Sequence, residues 1–172
     1  HADAMSRKKA VLTEAEVLEL IRLLPETWAN VNKICRVFGV RSWEVGFITQ
    51  ATNDDGEPQL RVTKGKTYNT RGGVKEETDP RWLEAVAVDG TTFDLVEGWD
   101  QLKLPPTVTG KTLGNVLRRL AYWQQLVAKY EPRGEWLRPD SLRDTFSVRA
   151  YGIVKDDTMI AAAMGQTVEV HH

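Results

Sequence analysis

The stretch Phe38-Gly39-Val40-Arg41-Ser42-Trp43-Glu44-Val45, "FGVRSWEV", ends one helical pattern and begins another. The apolar residues that lead up to it share one face of a helix: Trp28, Val31, Ile34, Cys35 and Phe38. Gly39 follows directly, and glycine readily takes the left-handed conformation that closes a helix. Ser42 is placed to cap a new helix over 40–49. Glu44 lies three residues after Arg41, within reach of that arginine or of the new helix.

Helical patterns continue on both sides of this stretch. Thr13 and Glu16 form a capping-box sequence at the start of a helix that Pro25 ends. An apolar stripe at helical spacing predicts the longest helix, from Thr112 to Tyr130. Further helices are predicted from Asp140 to Gly152 and over 158–164.

Between the helices the apolar residues alternate, which is the pattern of a strand. "PQLRVT" (58–63), "KGK" (64–66) and "TYNT" (67–70) predict a short β-hairpin with Gly65 in its turn. "RWLEAVAV" (81–88) is compatible with a strand or a helix. This order predicts a mainly helical α+β fold. Residues 5–172 are expected to form one domain, and residues 1–4, "HADA", are left out as an expression remnant.

The composition bounds the classes of function. The 172 residues are 41% hydrophobic and 27% charged, without an apolar run that could span a bilayer. We therefore expect a cytoplasmic protein without a membrane partner. Cys35 is the only cysteine and lies among apolar residues, so a buried, unreactive thiol is expected. Histidines occur only at the two ends of the chain, so neither a metal nor another cofactor is predicted.

The charge is unevenly distributed along the chain. The net charge of −1 argues against a general polyanion binder. Residues 103–155, however, carry ten lysines and arginines against four acidic residues. This basic segment is compatible with a nucleic-acid-binding face or with scattered, solvated charges.

Four short motifs stand in a fixed order: "GVRSWE" (39–44), "TKGK" (63–66), "DSLRDTF" (140–146) and "MGQT" (164–167). Together they resemble the catalytic domain of the tyrosine recombinases, the phage integrase family, over about residues 11–170. That family has a "GLRxxE" motif, a lysine on a β-hairpin, an "HxLRHTF" motif and an "LGHS" motif, followed by a nucleophilic tyrosine. The resemblance implies the fold of that catalytic domain, mainly helical with a small antiparallel hairpin or sheet.

The resemblance implies a site-specific recombinase or integrase that cleaves and rejoins DNA through a 3′-phosphotyrosine, without a metal. Arg41 and Arg143 would clamp the scissile phosphate, since guanidinium groups bind phosphate oxygens bidentately. Lys64 would be the general acid that protonates the leaving 5′-oxygen. The implied partners are double-stranded DNA and other recombinase protomers, with the protein at the nucleoid when it is bound to DNA. Further DNA contacts are expected from three basic residues: Lys66, Arg71 and Arg138.

The sequence departs from the family pattern at several positions. Asp140 replaces the first histidine and is either the N-cap of the helix that displays Arg143 or a catalytic group. Gln166 replaces the second histidine and can donate a hydrogen bond but cannot carry a proton. The tyrosine is expected a short way past Gln166, beyond His172, so these 172 residues are not expected to cleave DNA by the family's mechanism.

Two alternatives stay open. A recombinase-like domain without catalysis would bind only DNA or a partner recombinase, and Asp140, Asp144 and Gln166 favour it. A helical interaction domain would have no role at DNA.

Overall fold

The computed structural model describes residues 8–63, 66–68, 75–77, 80–87 and 91–153, although side chains over 66–68, 75–77 and 151–153 and those of Ser147 and Arg149 are outside the description. Within these ranges the helices are α1 (Glu14–Leu23), α2 (Glu26–Phe38), α3 (Gly110–Arg118), α4 (Ala121–Tyr130) and α5 (Ser141–Ile153). The strands are β1 (Lys8–Lys9), β2 (Ile48–Thr52), β3 (Pro58–Val62), β4 (Lys66–Tyr68), β5 (Lys75–Glu77), β6 (Arg81–Trp82) and β7 (Glu135–Trp136). Short 3-10 helices span Ser42–Phe47, Trp99–Gln101 and Glu131–Arg133. The predicted α+β class is confirmed.

Local signals set the ends of the first two helices. At α1, the Thr13 hydroxyl accepts a hydrogen bond from the Glu16 N–H at 3.1 Å, and the Glu16 carboxylate accepts one from the Thr13 N–H at 2.9 Å. The predicted capping box is therefore confirmed. At the end of α2, Gly39 has φ 70°, and its N–H donates to the Cys35 carbonyl. This confirms the predicted left-handed stop.

The predicted long helix from Thr112 to Tyr130 is wrong, because the structure divides it into α3 and α4. Leu120 is extended, with φ −82° and ψ 127°, and separates the two helices. The Thr109 hydroxyl accepts from the Thr112 N–H at 3.1 Å, so the cap lies three residues before the predicted one. Both helices contribute to one apolar cluster, which is why their joined sequence has a continuous apolar stripe.

The predicted hairpin is wrong in its pairing. β3 is a strand as expected, but it pairs antiparallel with β2, with Ile48 opposite Val62 at one end and Thr52 opposite Pro58 at the other. β6 pairs with the other edge of β3. The turn between β2 and β3 is built by Asn53, whose Oδ1 accepts from the Asp55 and Glu57 N–H groups. β4 pairs separately with β5.

Two neighbouring predictions are also corrected by the structure. The helix expected over 40–49 is a single short 3-10 helix, Ser42–Phe47, with Arg41 rather than Ser42 in the N-cap position, and the chain then enters β2. The ambiguous segment 81–88 supplies only the two residues of β6 within its described part. Pairing with β3 decides both cases, because β2 and β6 flank that strand.

The buried apolar residues form two clusters that meet at α2. The first cluster lies among α1, α3, α4 and the start of α5, and its most buried members include Val17, Leu20, Leu117 and Leu142. The second joins α2 to β2 and β3 and includes Val31, Phe38, Leu60 and Val62. Trp28 of α2 packs against both clusters.

Two sequence expectations concern burial and membranes. Cys35 is buried in the second cluster, and burial, together with the charges of Asp140 and Glu44, raises the pKa of its thiol. The expectation of a buried cysteine is confirmed. None of the helices in the described ranges is both long and apolar enough to cross a bilayer.

Candidate phosphate-binding site

The site forms where the end of α2 meets the start of α5. A Cβ atom at Gly39 would overlap the ring of Phe146, so the two helices approach as closely as glycine allows. Arg143, one turn before Phe146, donates from its Nε to the Gly39 carbonyl oxygen at 2.9 Å. This bond caps a carbonyl group at the end of α2 and holds the Arg143 side chain in place.

Arg41 is placed two residues after Gly39 and is oriented by Glu44. The Arg41 N–H donates to the Glu44 Oε1 at 2.9 Å, and the Arg41 Nη1 lies 3.6 Å from the same oxygen. The Arg41 side chain keeps 30% of its surface exposed, whereas Glu44 is fully buried. Glu44 therefore serves as an internal anchor, while Arg41 stays accessible to a ligand.

Arg81 completes this anchor from β6. Its Nη1 donates to the Glu44 Oε2 at 2.9 Å and its Nη2 donates to the Glu44 Oε1 at 3.0 Å. A two-bond pairing of this kind fixes both planar groups relative to each other. The carboxylate of Glu44 thus connects the strand β6 to the turn that carries Arg41.

The charges of the two arginines act on each other. Burial, and after it the positive charge of Arg41, lower the pKa of Arg143 to about 10. The carboxylates of Glu44, Asp140 and Asp144 oppose this shift. Arg143 is still protonated at neutral pH, so two fixed positive charges lie near each other. Such a pair attracts an anion that can bridge them.

The start of α5 carries two carboxylates that face a fourth arginine. Arg138 donates from Nη1 to the Asp140 Oδ2 at 3.2 Å and from Nη2 to the Asp144 Oδ2 at 3.0 Å. Asp140 occupies the position before the first residue of α5, and its carbonyl accepts from the Asp144 N–H. Its carboxylate, however, is bonded to Arg138.

The structure brings together part of the site that the sequence predicts. Arg41 and Asp140 both lie close enough to Arg143 for their charges to change its pKa. Arg138, expected to contact DNA, is paired with Asp140 and Asp144, and 17% of its side chain is exposed. Lys64, Arg71, Gln166 and the side chain of Lys66 lie outside the described residues, so their roles remain predictions.

The sequence does not single out Arg81 as a site residue. It lies 37 residues after Glu44, in the segment 81–88, whose pattern is compatible with a strand or a helix. A weak signal was available, since a glutamate three residues after Arg41, next to apolar residues, needs a positive partner if it is buried. The chain offers many arginines and lysines, and nothing in the spacing distinguishes Arg81 from them.

The two tyrosines on the predicted long helix lie elsewhere. Tyr130 is buried, and its hydroxyl donates to Glu16 in the first cluster. Burial and the bond to Glu16 raise the pKa of Tyr130. Tyr122 packs against the same cluster. Both tyrosines therefore contribute to the packing of the first cluster.

The described residues contain no group of three or more histidine, cysteine, aspartate or glutamate side chains that could hold a metal ion. Neither a protein-family model nor a curated protein matches this chain. The choice of a function therefore depends on the geometry of the chain's own residues, above all on the positions of Arg41 and Arg143.

Proposed function

We propose that Arg41 and Arg143 bind a phosphodiester of double-stranded DNA, and that this site belongs to a tyrosine-recombinase-like protein that cleaves and rejoins DNA. The observation that carries the proposal is the anchoring of both arginines at one turn. Arg143 is bonded to the Gly39 carbonyl, and Arg41 is held by the buried Glu44.

This arrangement suits phosphoryl chemistry. In transesterification at phosphorus, negative charge develops on the non-bridging oxygens, and guanidinium groups already in place stabilise it without reorganising. Loss of one preorganised donor of this kind typically raises the barrier by about 3–4 kcal/mol. In the proposed reaction Lys64 is the general acid, a role that it takes from the resemblance of its motif.

The first test is DNA binding by the 172-residue chain. A labelled duplex of about 20 base pairs is titrated at several salt concentrations, with wild type, Arg41→Gln and Arg143→Gln. Each substitution removes a charge-assisted contact, so we expect about tenfold weaker binding and a salt dependence that is shallower by about one unit of slope. Arg22→Gln is the matched control, because Arg22 is exposed on α1 and its substitution removes the same charge.

The outcomes separate the proposal from a role without DNA. If wild type does not bind the duplex even at low salt, the helical interaction domain is the better description. If Arg22→Gln weakens binding as much as Arg143→Gln does, the basic surface acts without a specific site, and the proposed clamp is wrong.

A second function, DNA binding without cleavage, is favoured by Asp140 and Asp144 beside the phosphate site. The longest native form of the protein is incubated with nicked duplexes and analysed on a denaturing gel for a covalent protein–DNA adduct. An adduct that disappears with Arg143→Gln supports recombination. Tight, specific binding without an adduct supports the binding-only function.

A further inference from the structure

Arg138 lies between β7 and α5 and makes two ion pairs at the start of that helix. Its two Nη atoms bind Asp140 and Asp144 at 3.2 and 3.0 Å, and its guanidinium carbon is 5.5 Å from the centre of the Trp136 ring. Only 17% of the Arg138 side chain is exposed. These contacts hold the guanidinium toward the two carboxylates.

The charges of the site show what this pairing does. Arg41, Arg81, Arg143 and the buried Glu44 carry a formal charge of +2. The two carboxylates at the start of α5 would cancel that charge completely, and the Arg138 guanidinium restores a charge of +1. Without a positive partner, the two carboxylates would repel a phosphate group bound at Arg41 and Arg143.

We propose that Arg138 is a positioning residue that holds and neutralises Asp140 and Asp144, which allows the adjacent site at Arg41 and Arg143 to accept a phosphate. This inference rests on the proposed phosphate-binding function. It gives Arg138 a different role from the direct DNA contact expected from the sequence.

The surroundings of Asp144 agree with this role. Burial raises the pKa of Asp144, and Arg138 is the strongest of the groups that oppose the shift. Lys9 of β1 and Arg143 also favour its ionised form, whereas Asp140 disfavours it. Arg138 thus supplies the main compensation for a carboxylate that the fold places in a partly buried position.

The test uses a double-mutant cycle in which Arg138 is one member and the two carboxylates together are the other. Affinity for the duplex is measured at constant salt. Sulfate is the competitor, because it stays dianionic across the pH range. Arg138→Gln is expected to weaken duplex and sulfate binding several-fold at pH 7. The triple variant Arg138→Gln, Asp140→Asn, Asp144→Asn leaves the site with a formal charge of +2 and is expected to bind at least as tightly as wild type. Burial raises the pKa of Asp144, so protonation of this carboxylate as the pH falls should narrow the gap in affinity between Arg138→Gln and wild type. Thermal unfolding of each variant reports stability separately.

A comparison that does not need the single variant covers the case in which Arg138→Gln does not fold. The double variant, which carries Asp140→Asn and Asp144→Asn together, is compared with the triple variant. If Arg138 acts through the two carboxylates, these two variants bind the duplex alike, apart from the small effect measured with Arg22→Gln. If Arg138 contacts phosphate itself, the triple variant binds more weakly than the double one. That result would overturn the inference.

The remaining outcomes are also decisive. Unchanged binding by folded Arg138→Gln, alongside weakened binding by Arg143→Gln, contradicts the role of Arg138 and leaves the phosphate site standing. A wild-type chain that binds neither the duplex nor sulfate contradicts both proposals.

Discussion

At the scale of single residues, Glu44 is the side chain on which the candidate site depends most. It is fully buried and is bonded to the Arg41 N–H and to both ends of the Arg81 guanidinium. Removing one partner of a buried ion pair leaves the other charge without compensation, which costs more than the pair itself contributes. The structure therefore makes Glu44 a residue of stability as well as of orientation.

Glu44→Gln is expected to lower the free energy of unfolding by about 3 kcal/mol, because Arg81 is left with a neutral partner in a buried position. Urea unfolding followed by circular dichroism measures this change. The double variant Glu44→Gln, Arg81→Gln should lose less than the sum of the two single losses. Additive losses would show that the two side chains do not act as a pair.

Glu16 is a second buried carboxylate whose partners can be read from the structure. Burial raises the pKa of Glu16, but bonds from Lys129, the Thr13 N–H and the Tyr130 hydroxyl lower it more, so the net shift is downward. A carboxylate with a lowered pKa stabilises the fold above its unfolded pKa of about 4.3. That contribution disappears as the pH falls through the pKa of the folded state.

Glu16→Gln is therefore expected to be less stable than wild type at pH 7, with a difference that shrinks from about pH 4 downward. Urea unfolding at pH 7, 5, 4 and 3 measures it. Glu57→Gln, on an exposed turn, supplies the same change of charge as a control. A difference between wild type and Glu16→Gln that stays constant over this range would contradict the role of the ionised carboxylate.

At the scale of elements, the contact of α2 with α5 decides whether the two arginines meet. Gly39 ends α2 in the left-handed region, and the Phe146 ring occupies the space beside it. A side chain there would both strain the backbone and push α5 away. Since Arg143 is bonded to the Gly39 carbonyl, this close approach also sets the position of Arg143 in the proposed phosphate site.

Gly39→Ala is expected to cost about 1–2 kcal/mol of stability for its positive φ, and about 1–3 kcal/mol more for overpacking against Phe146. Gly134→Ala is the matched control, because Gly134 has φ 71° with open space around a Cβ. Chemical unfolding measures the loss of stability in both variants, and the difference between the two losses is the cost of the overlap with Phe146. Equal losses in the two variants would mean that α5 moves away at little cost.

Duplex binding extends the same comparison to the site. We expect Gly39→Ala to weaken binding, because a displaced α5 carries Arg143 with it, whereas Gly134→Ala should bind as wild type does.

At the scale of the whole molecule, two apolar clusters are joined through α2. The first is made by α1, α3, α4 and the start of α5, and the second packs α2 against the sheet. Trp28 of α2 contacts both clusters, so a loss of packing in one cluster also affects the other through this shared helix. We expect the described part of the chain to unfold as one cooperative unit.

Leu117→Ala in the first cluster and Leu60→Ala in the second each remove a fully buried side chain. Each is expected to cost about 2–5 kcal/mol, with the two losses adding to within about 0.5 kcal/mol in the double variant. Urea unfolding followed by tryptophan fluorescence and by circular dichroism should give coincident transitions in every variant. Separate transitions in Leu117→Ala would show that the clusters unfold independently.

The parts of the fold that could be predicted are those whose bonds close within a few residues. The capping box of Thr13 and Glu16 and the left-handed stop at Gly39 are of this kind. The break at Leu120 and the pairing of β2 with β3 could not be read in the same way. Continuous apolar stripes and alternating residues are compatible with more than one partner, and packing selects among them.

The candidate site divides along the same line. Arg41, Glu44 and Arg143 could be singled out from the sequence because short motifs carry them. The bond from Arg143 to Gly39 spans 104 residues, and that from Arg81 to Glu44 spans 37. Such contacts depend on how the elements pack, so the sequence indicated the residues without showing what holds them.

The sequence by itself determined the capping box of α1, the glycine stop, the α+β class, the buried cysteine and the arginines at the start of α5 and after α2. Only the tertiary structure decided that Arg143 is bonded to the end of α2, that Glu44 is shared by Arg41 and Arg81, and that Arg138 pairs with Asp140 and Asp144. The physical reason is the range of the interactions. Caps and turns are satisfied within one turn of chain, whereas the ion pairs of this site join elements that only the packing of α2, α5 and β6 brings into contact.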